Sequence, residues 1–172
     1  MSAPFTGTER YDPTRHDVSS FSGGDELLDR WLLRYAGQND RRDAARTFVA
    51  TAHDHVVVRG YYTLLAGQLE HREATLQARK GLSRHFPIPV AILARLAIDS
   101  GHQGRGLGAA LLNDALLRVL RASEQVAVRA VVVHAVDERA AAFYERFGLR
   151  ALTETPRTLM VTLTALRAAG YA

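Results

Sequence analysis

Arg95-Leu96-Ala97-Ile98-Asp99-Ser100-Gly101-His102-Gln103-Gly104-Arg105-Gly106-Leu107-Gly108 decides how the rest of the chain is read. Upstream, Val90 to Ile98 is an apolar run of strand length. Downstream, Ala109 to Leu120 carries apolar residues at helical spacing, so the order is strand, loop, helix. Glycines at alternate positions (Gly104, Gly106, Gly108) let consecutive N–H groups turn into one concavity where the helix begins. Such a nest with a helix N-terminus behind it binds an anion, most often phosphate, and Gln103 and Arg105 are placed to add donors.

Three nucleotide readings compete for this loop. A Walker loop ends in Gly-Lys-Ser/Thr, and the chain's one lysine, Lys80, lies elsewhere. A loose dinucleotide fingerprint survives as Gly104-x-Gly106-x-x-Ala109, with Asp137 after the next strand but beyond the usual interval. A Gly-rich turn with no ligand also stays open. The third reading is Gln103-x-x-Gly106-x-Gly108, which resembles the pyrophosphate-binding signature of the GCN5-related N-acetyltransferase (GNAT) superfamily. That resemblance implies an α+β (α/β/α) fold: a central mixed, mainly antiparallel sheet with helices on both faces. It also implies acetyl-CoA held by Gln103, Gly104, Arg105, Gly106, Leu107, Gly108 and Ala109.

Composition narrows the classes. A chain of 172 residues with an apolar fraction of 47% fits one domain with a sizeable core, expected here over 1–172. Without cysteine it has no disulfide, thiolate metal site or cysteine nucleophile. No apolar run reaches membrane-spanning length and the first residues lack a secretion signal, so a cytoplasmic protein without membrane contact is expected. The net charge of +4, its positive part nearly all arginine, leans towards an anionic partner, with a plain solvated surface as the equal alternative on charge alone.

Along the chain, residues 1 to 20 read as a loose arm before an edge strand. Asp25 to Ala36 reads as a helix with Leu27, Leu28, Trp31, Leu32 and Tyr35 on one face, ended by Gly37 to Asp40. Thr47–Thr51 and Val56–Leu65 read as antiparallel strands joined at His53-Asp54-His55; the two histidines lack companion ligands, and no metal is expected. Tyr61 and Tyr62 point to opposite strand faces, one expected in the core and the other at a cleft, with structural packing of both as the default. Residues 66 to 87 read as an irregular surface loop with some helix. Val126–Ala135 is a buried strand, Asp137 caps a helix from Glu138 to Phe147, and Gly148 closes it. A last strand covers Thr158–Leu163, followed by an Ala-rich tail.

Ala140-x-x-Phe143-Tyr144-Glu145-x-x-Gly148-Leu149 is similar to the superfamily's second CoA element. The resemblance implies that Phe143 lies by the cofactor and that Tyr144 donates a proton to the departing thiolate, with helix packing as the bland reading of Tyr144. It also implies that the central strand splays from its neighbour, so that the backbone of Leu96, Ala97 and Ile98 holds the pantetheine and polarises the thioester. Gly148-Leu149 departs from the aromatic residue often found after that glycine. No Glu lies within Val90–Ile98, where many members carry a base, and Asp99 stands close to the loop. A missing base favours an amine that is already largely neutral: an α-amine, with a reference pKa of about 8, over lysine at about 10.4.

A closer resemblance extends over residues 15 to 163. Leu28-Asp29-Arg30-Trp31-Leu32-x-Arg34-Tyr35-Ala36-x-Gln38-Asn39, Gly60-Tyr61-Tyr62-Thr63-Leu64, Pro87-Ile88-Pro89-Val90, Arg95-Leu96-Ala97-Ile98-Asp99 and Val132-Val133-His134-Ala135 are similar to the acetyltransferase toxins of bacterial toxin–antitoxin pairs. It implies acetylation of the α-amine of aminoacyl-tRNA, arrest of translation, a homodimer, and a ribbon-helix-helix antitoxin. The basic residues Arg41, Arg42, Arg46, Arg79, Lys80 and Arg84 would then meet tRNA phosphates. An acetyltransferase of a small amine or protein N-terminus, and a non-catalytic CoA- or RNA-binding module, are the rival expectations.

Overall fold

The apolar run before the glycine loop is strand β4, Ile88–Ile98, and the helix after it is α4, Leu107–Ala122. The computed structural model describes Phe5 and residues 7–172. The remaining strands are β1 (Glu9–Arg10), β2 (Arg46–Thr51), β3 (Val58–Leu69), β5 (Ala130–His134), β6 (Arg150–Ala151) and β7 (Thr158–Thr162). They hydrogen-bond in the order β1-β2-β3-β4-β5-β7-β6 as a seven-stranded sheet. Its β4–β5 pair is parallel, while the β1–β2, β2–β3, β5–β7 and β6–β7 pairs are antiparallel. The expected mixed, mainly antiparallel sheet is therefore present.

The chain divides into two compact units, one of residues up to Leu65 with Ala94–Ala115, the other of Ala66–Leu93 with Leu116–Ala172. In the first, β2 and β3 pair Phe48 with Tyr62 and Val49 with Tyr61. The core here gathers Tyr11, Phe21, Leu32, Ala36, Val49, Val58, Tyr61 and Ala97, with Leu28 and Trp31 packed against it. Both tyrosines of the Tyr61-Tyr62 pair are fully buried, so neither faces a cleft. Burial of two phenols on opposite strand faces is possible because each hydroxyl has a partner: Tyr61 donates to the Leu28 carbonyl at 2.7 Å and Tyr62 to Asp114. The expected loose arm lies partly on residues 1–4 and 6, outside the described residues; from Glu9 onward it forms β1.

The first helix departs from its expected face. It starts at α1, Glu26–Arg30, where the Asp25 side chain accepts the N–H groups of Leu27 and Leu28. It then widens into a π-helical turn, Trp31–Tyr35, in which the Ala36 N–H bonds the Trp31 carbonyl, and continues as α2, Ala36–Arg41. The extra residue in the turn shifts the phase. Leu32 and Ala36 point inward and Tyr35, expected inside, is 45% exposed; Leu27, also expected inside, precedes the turn and is 74% exposed. Gly37 does not end the helix; a Cβ there would stand 3.3 Å from Pro13 Cγ, so the glycine serves close approach.

In the second unit, β4 and β5 run parallel with Val90 opposite Ala130 and Leu93 opposite Val133. β5 pairs antiparallel with β7, Val132 opposite Met160. Ile88, Val90, Ala130, Val132, Leu152 and Met160 pack with Ala74 and Ala78; Ala78 belongs to a four-residue helix, α3, Leu76–Arg79. Three expectations change here. β3 runs on to Leu69, beyond the expected end at Leu65. Val126 is 68% exposed and lies before the strand, which starts only at Ala130. The short β6 and the closing helix α6, Leu163–Ala168, were unforeseen. Among the described residues no helix is long and apolar enough to cross a membrane.

Candidate active site

The loop residues Gln103, Gly104, Arg105 and Gly106 are exposed, with Leu107, Gly108 and Ala109 half-buried at the start of α4. Gly104 and Gly106 have φ of +73° and +83°, the left-handed region that a Cβ penalises by roughly 1–2 kcal/mol. The Gly106 carbonyl accepts the first helical bond, from the Ala110 N–H at 3.1 Å. By helix geometry the N–H groups of Leu107, Gly108 and Ala109 then lack intrahelical acceptors and point out of the helix end. That end, backed by a 16-residue helix, presents the unpaired N–H groups and positive dipole end that favour an anion. Gly108 is helical, so only two of the three alternating glycines are needed for their backbone freedom.

Gln103 is not spare. Its Nε2 donates to the carbonyls of Gly23 and Ile98 at 2.8 and 2.9 Å, which uses both amide protons. The expected side-chain donor is thus a clamp that ties the loop to β4 and to Ser22-Gly23-Gly24. Asp99, 8% exposed, reinforces the clamp. Its carboxylate accepts the Ser22 N–H at 3.2 Å, lies 3.2 Å from His102 Nδ1 and 3.8 Å from Arg59 Nη1. With those partners Asp99 is engaged in holding the loop, as its closeness to the loop suggested. Gly23 permits the approach, since a Cβ there would meet the Ile98 carbonyl at 3.2 Å.

β4 supplies the second feature. Its parallel register with β5 covers Val90–Leu93 and stops there, five residues before the strand ends at Ile98. Ala97 is buried; Leu96 and Ile98 are half-buried. On β3, Gly60 serves close approach: a Cβ would stand 2.9 Å from Leu111 Cδ1 and 3.4 Å from the Ala97 carbonyl.

In the second unit, Asp137 caps helix α5, Glu138–Glu145, by accepting the Ala140 N–H at 2.8 Å, and Gly148 has φ of +89° as expected of a closing glycine. Tyr144 is 8% exposed, and burial pushes its phenol up to about 12. Phe143, half-buried, packs edge-on to it with centroids 5.2 Å apart. Leu149, which stands where an aromatic residue was expected, is fully buried and fills its place as an aliphatic.

The basic residues fall into two groups. Arg46 pairs with Asp43 and also bonds the Asp40 carbonyl at 2.8 Å. With the Gln38 amide turned so that its oxygen faces Arg42, that oxygen accepts from Nη1 and Nη2 at 3.1 and 3.0 Å. Arg41 is exposed at the edge of a shallow basin with Arg10 and Pro13. In the second unit, Arg79, Lys80 and Arg84 line a basin of about 780 Å³ together with Arg72 and His71, whose Nε2 is buried without a partner. Among the described residues no cluster of three or more His, Cys, Asp or Glu side chains could hold a metal.

The first unit thus carries a glycine nest at the N-terminus of α4, and the second carries a tyrosine that burial keeps protonated at neutral pH. The acetyltransferase (GNAT) domain profile matches residues 43–150, and the chain belongs to the GNAT acetyltransferase family. It is 38% identical over 152 residues to the tRNA-acetylating toxin of Mycobacterium tuberculosis (strain ATCC 25618 / H37Rv), spanning 88% of this chain and 89% of that one. AtaT complexed with acetyl-methionyl-tRNAfMet superposes with a TM-score of 0.86 at 27% identity, covering 94% of this chain and 97% of that chain. A tyrosine-to-phenylalanine mutant of AtaT, bound to the C-terminus of the antitoxin AtaR and acetyl-CoA, gives a TM-score of 0.81 at 27% identity, over 94% and 96% of the two chains.

Proposed function

We propose that the protein transfers the acetyl group of acetyl-CoA to the α-amine of aminoacyl-tRNA and so blocks translation. The observation that carries this reading is the 38% identity, across nearly the whole chain, to a tRNA-acetylating toxin. The two compact units act as one acetyltransferase domain in this reading. In the cell it is a cytoplasmic homodimer held inactive by a ribbon-helix-helix antitoxin, a partner suggested by the antitoxin-bound AtaT structure.

Each residue group has a stated task. The first-turn N–H groups of Leu107, Gly108 and Ala109, with the backbone of Gly104 to Gly106, bind the pyrophosphate, and Arg105 adds charge. Gln103 and Asp99 hold that loop in shape without touching the phosphates. The Leu96–Ile98 backbone receives the pantetheine arm and polarises the thioester carbonyl. Tyr144 donates a hydrogen bond to the sulfur as it leaves, and Phe143 shapes the wall beside it. With Asp99 engaged and no Glu on β4, the amine arrives neutral, its proton lost to water, which suits an α-amine better than a lysine. Arg41, Arg42, Arg79, Lys80 and Arg84 supply charge for the tRNA backbone; Arg46 adds less because Asp43 already pairs with it.

The test is transfer of labelled acetyl from acetyl-CoA to a charged tRNA pool, beside an uncharged pool and a lysine-rich peptide. Label on charged tRNA alone is expected. Label on the peptide, or none on charged tRNA with acetyl-CoA binding intact, would overturn the substrate and leave the acetyltransferase.

A further inference from the structure

Arg95 stands on β4 one residue before the Leu96–Ile98 stretch and shares a strand face with Ala97. Its guanidinium carbon, Cζ, lies over the Trp31 ring, 3.5 Å from the centroid. Among the described residues no carboxylate pairs with it and no oxygen accepts a hydrogen bond from it. Its environment acts through burial, which pulls its pKa below the usual arginine value, and through Tyr61. A half-buried cation without a counter-charge carries a desolvation cost that folded proteins ordinarily relieve with an ion pair. Contact with the indole face offsets part of that cost and leaves the guanidinium N–H groups for another acceptor.

Trp31 shows the same kind of unrelieved cost. Its indole N–H is buried without an acceptor, and it is the first residue of the π-helical turn. Wide turns of this sort are rare and gather at functional positions. The helix below the ring is anchored, since Tyr61 donates to the Leu28 carbonyl at 2.7 Å and Leu28 packs on the same core. An anchored aromatic base, a guanidinium seated over it, and N–H donors without an acceptor beside the stretch proposed to hold the thioester together suit an anionic oxygen of the acceptor. CoA phosphates offer the same chemistry, but the nest at α4 already serves the pyrophosphate.

We infer that Arg95, stacked on Trp31, is the anion-recognising residue of the acceptor site and takes a phosphodiester oxygen near the 3′ end of the aminoacylated RNA. The inference rests on the proposed function above. It adds a specificity element: the enzyme reads the phosphate next to the aminoacylated ribose as well as the amine.

The experiment compares the full-length protein with its Arg95→Met, Arg95→Lys and Trp31→Phe variants. The acceptors are charged tRNA and a 3′-O-aminoacyl-adenosine that carries no phosphate. Loss of a charge-assisted, bidentate contact predicts a rise in KM for charged tRNA of about 10- to 100-fold in Arg95→Met, with KM for acetyl-CoA within about twofold of wild type. On the phosphate-free acceptor the variant and wild type should agree within about twofold. Arg95→Lys keeps the charge but not the flat fork, and should fall between. Should Arg95→Met not fold, the Lys and Trp31→Phe variants carry the same comparison. An unchanged KM for charged tRNA, a rise in KM for acetyl-CoA instead, or equal losses on both acceptors would each overturn the assignment. A wild-type protein inactive on charged tRNA would instead refute the functional reading and take this ligand with it.

Discussion

Replacing Tyr144 by Phe removes one oxygen from a side chain that is 8% exposed, so the helix and its packing should survive. What is lost is a donor whose strength can be bounded. Burial pushes the phenol up to about 12, whereas a free alkyl thiol titrates at about 8.5. Complete proton transfer to the departing thiolate would run uphill by about 3.5 units, or about 5 kcal/mol. Tyr144 should therefore stabilise the leaving sulfur by hydrogen bonding rather than by giving up its proton. A hydrogen bond to a charged group is worth about 1.5–3 kcal/mol, so kcat should fall roughly 10- to 150-fold, with acetyl-CoA binding unchanged. Single-turnover transfer to charged tRNA measures the first quantity and equilibrium titration with acetyl-CoA the second. The wild-type pH profile gives an independent check. A donor with its pKa raised this far stays protonated through neutral pH, so kcat should show no descending limb due to Tyr144 below about pH 10. A kcat within twofold of wild type in the Phe variant, or a descending limb near pH 8 that the variant abolishes, would refute this account.

The other predictions use different readouts. Tyr61 and Tyr144 both have pKa values raised by burial, so below about pH 10, where the unfolded phenols are also protonated, their contribution is fully present; as pH rises further only the unfolded chain ionises. Stability should then fall by about 1.4 kcal/mol per pH unit for each tyrosine, and Tyr144→Phe should reduce that slope in urea titrations between pH 10 and 11. Gln103→Ala severs both ties from the loop to Gly23 and Ile98; KM for acetyl-CoA should rise several-fold while stability drops by about 1–2 kcal/mol, seen in kinetics and thermal unfolding. Arg84→Ala should lower the salt slope of charged-tRNA binding by about 0.7–0.9 if that residue meets one phosphate, whereas Arg46→Ala, already paired with Asp43, should leave the slope nearly unchanged.

The parts of this molecule that the sequence made legible are local ones. The strand, glycine loop and helix around Gln103 to Ala109 could be read because turn glycines, a helix start and an apolar run adjoin in sequence. The Asp137 cap and the closing Gly148 could be read for the same reason. What escaped depends on distant partners. The side chain of Gln103 looked like a phosphate donor, and only the proximity of Gly23, 80 positions away, shows it to be a clamp. Tyr61 and Tyr62 both find buried acceptors, on Leu28 and Asp114, that no spacing rule announces. The stacking of Arg95 on Trp31 joins a strand to a helix more than sixty residues earlier. From Trp31 onward the face of the first helix was misjudged because a uniform 3.6-residue period was applied across a turn that holds one residue more.

That turn has a consequence for how the chain tolerates insertion and deletion. Removing one residue between Trp31 and Tyr35 would restore a regular helix and rotate everything after it by about 100°. Ala36, wholly buried, would swing towards solvent, and Asp40 would lose its pairing with Arg10 on β1. The same deletion in the exposed His53-Asp54-His55 turn would only shorten a surface loop. The first helix is thus a segment whose length is fixed to the residue, and relatives that keep its inward face must keep its count as well.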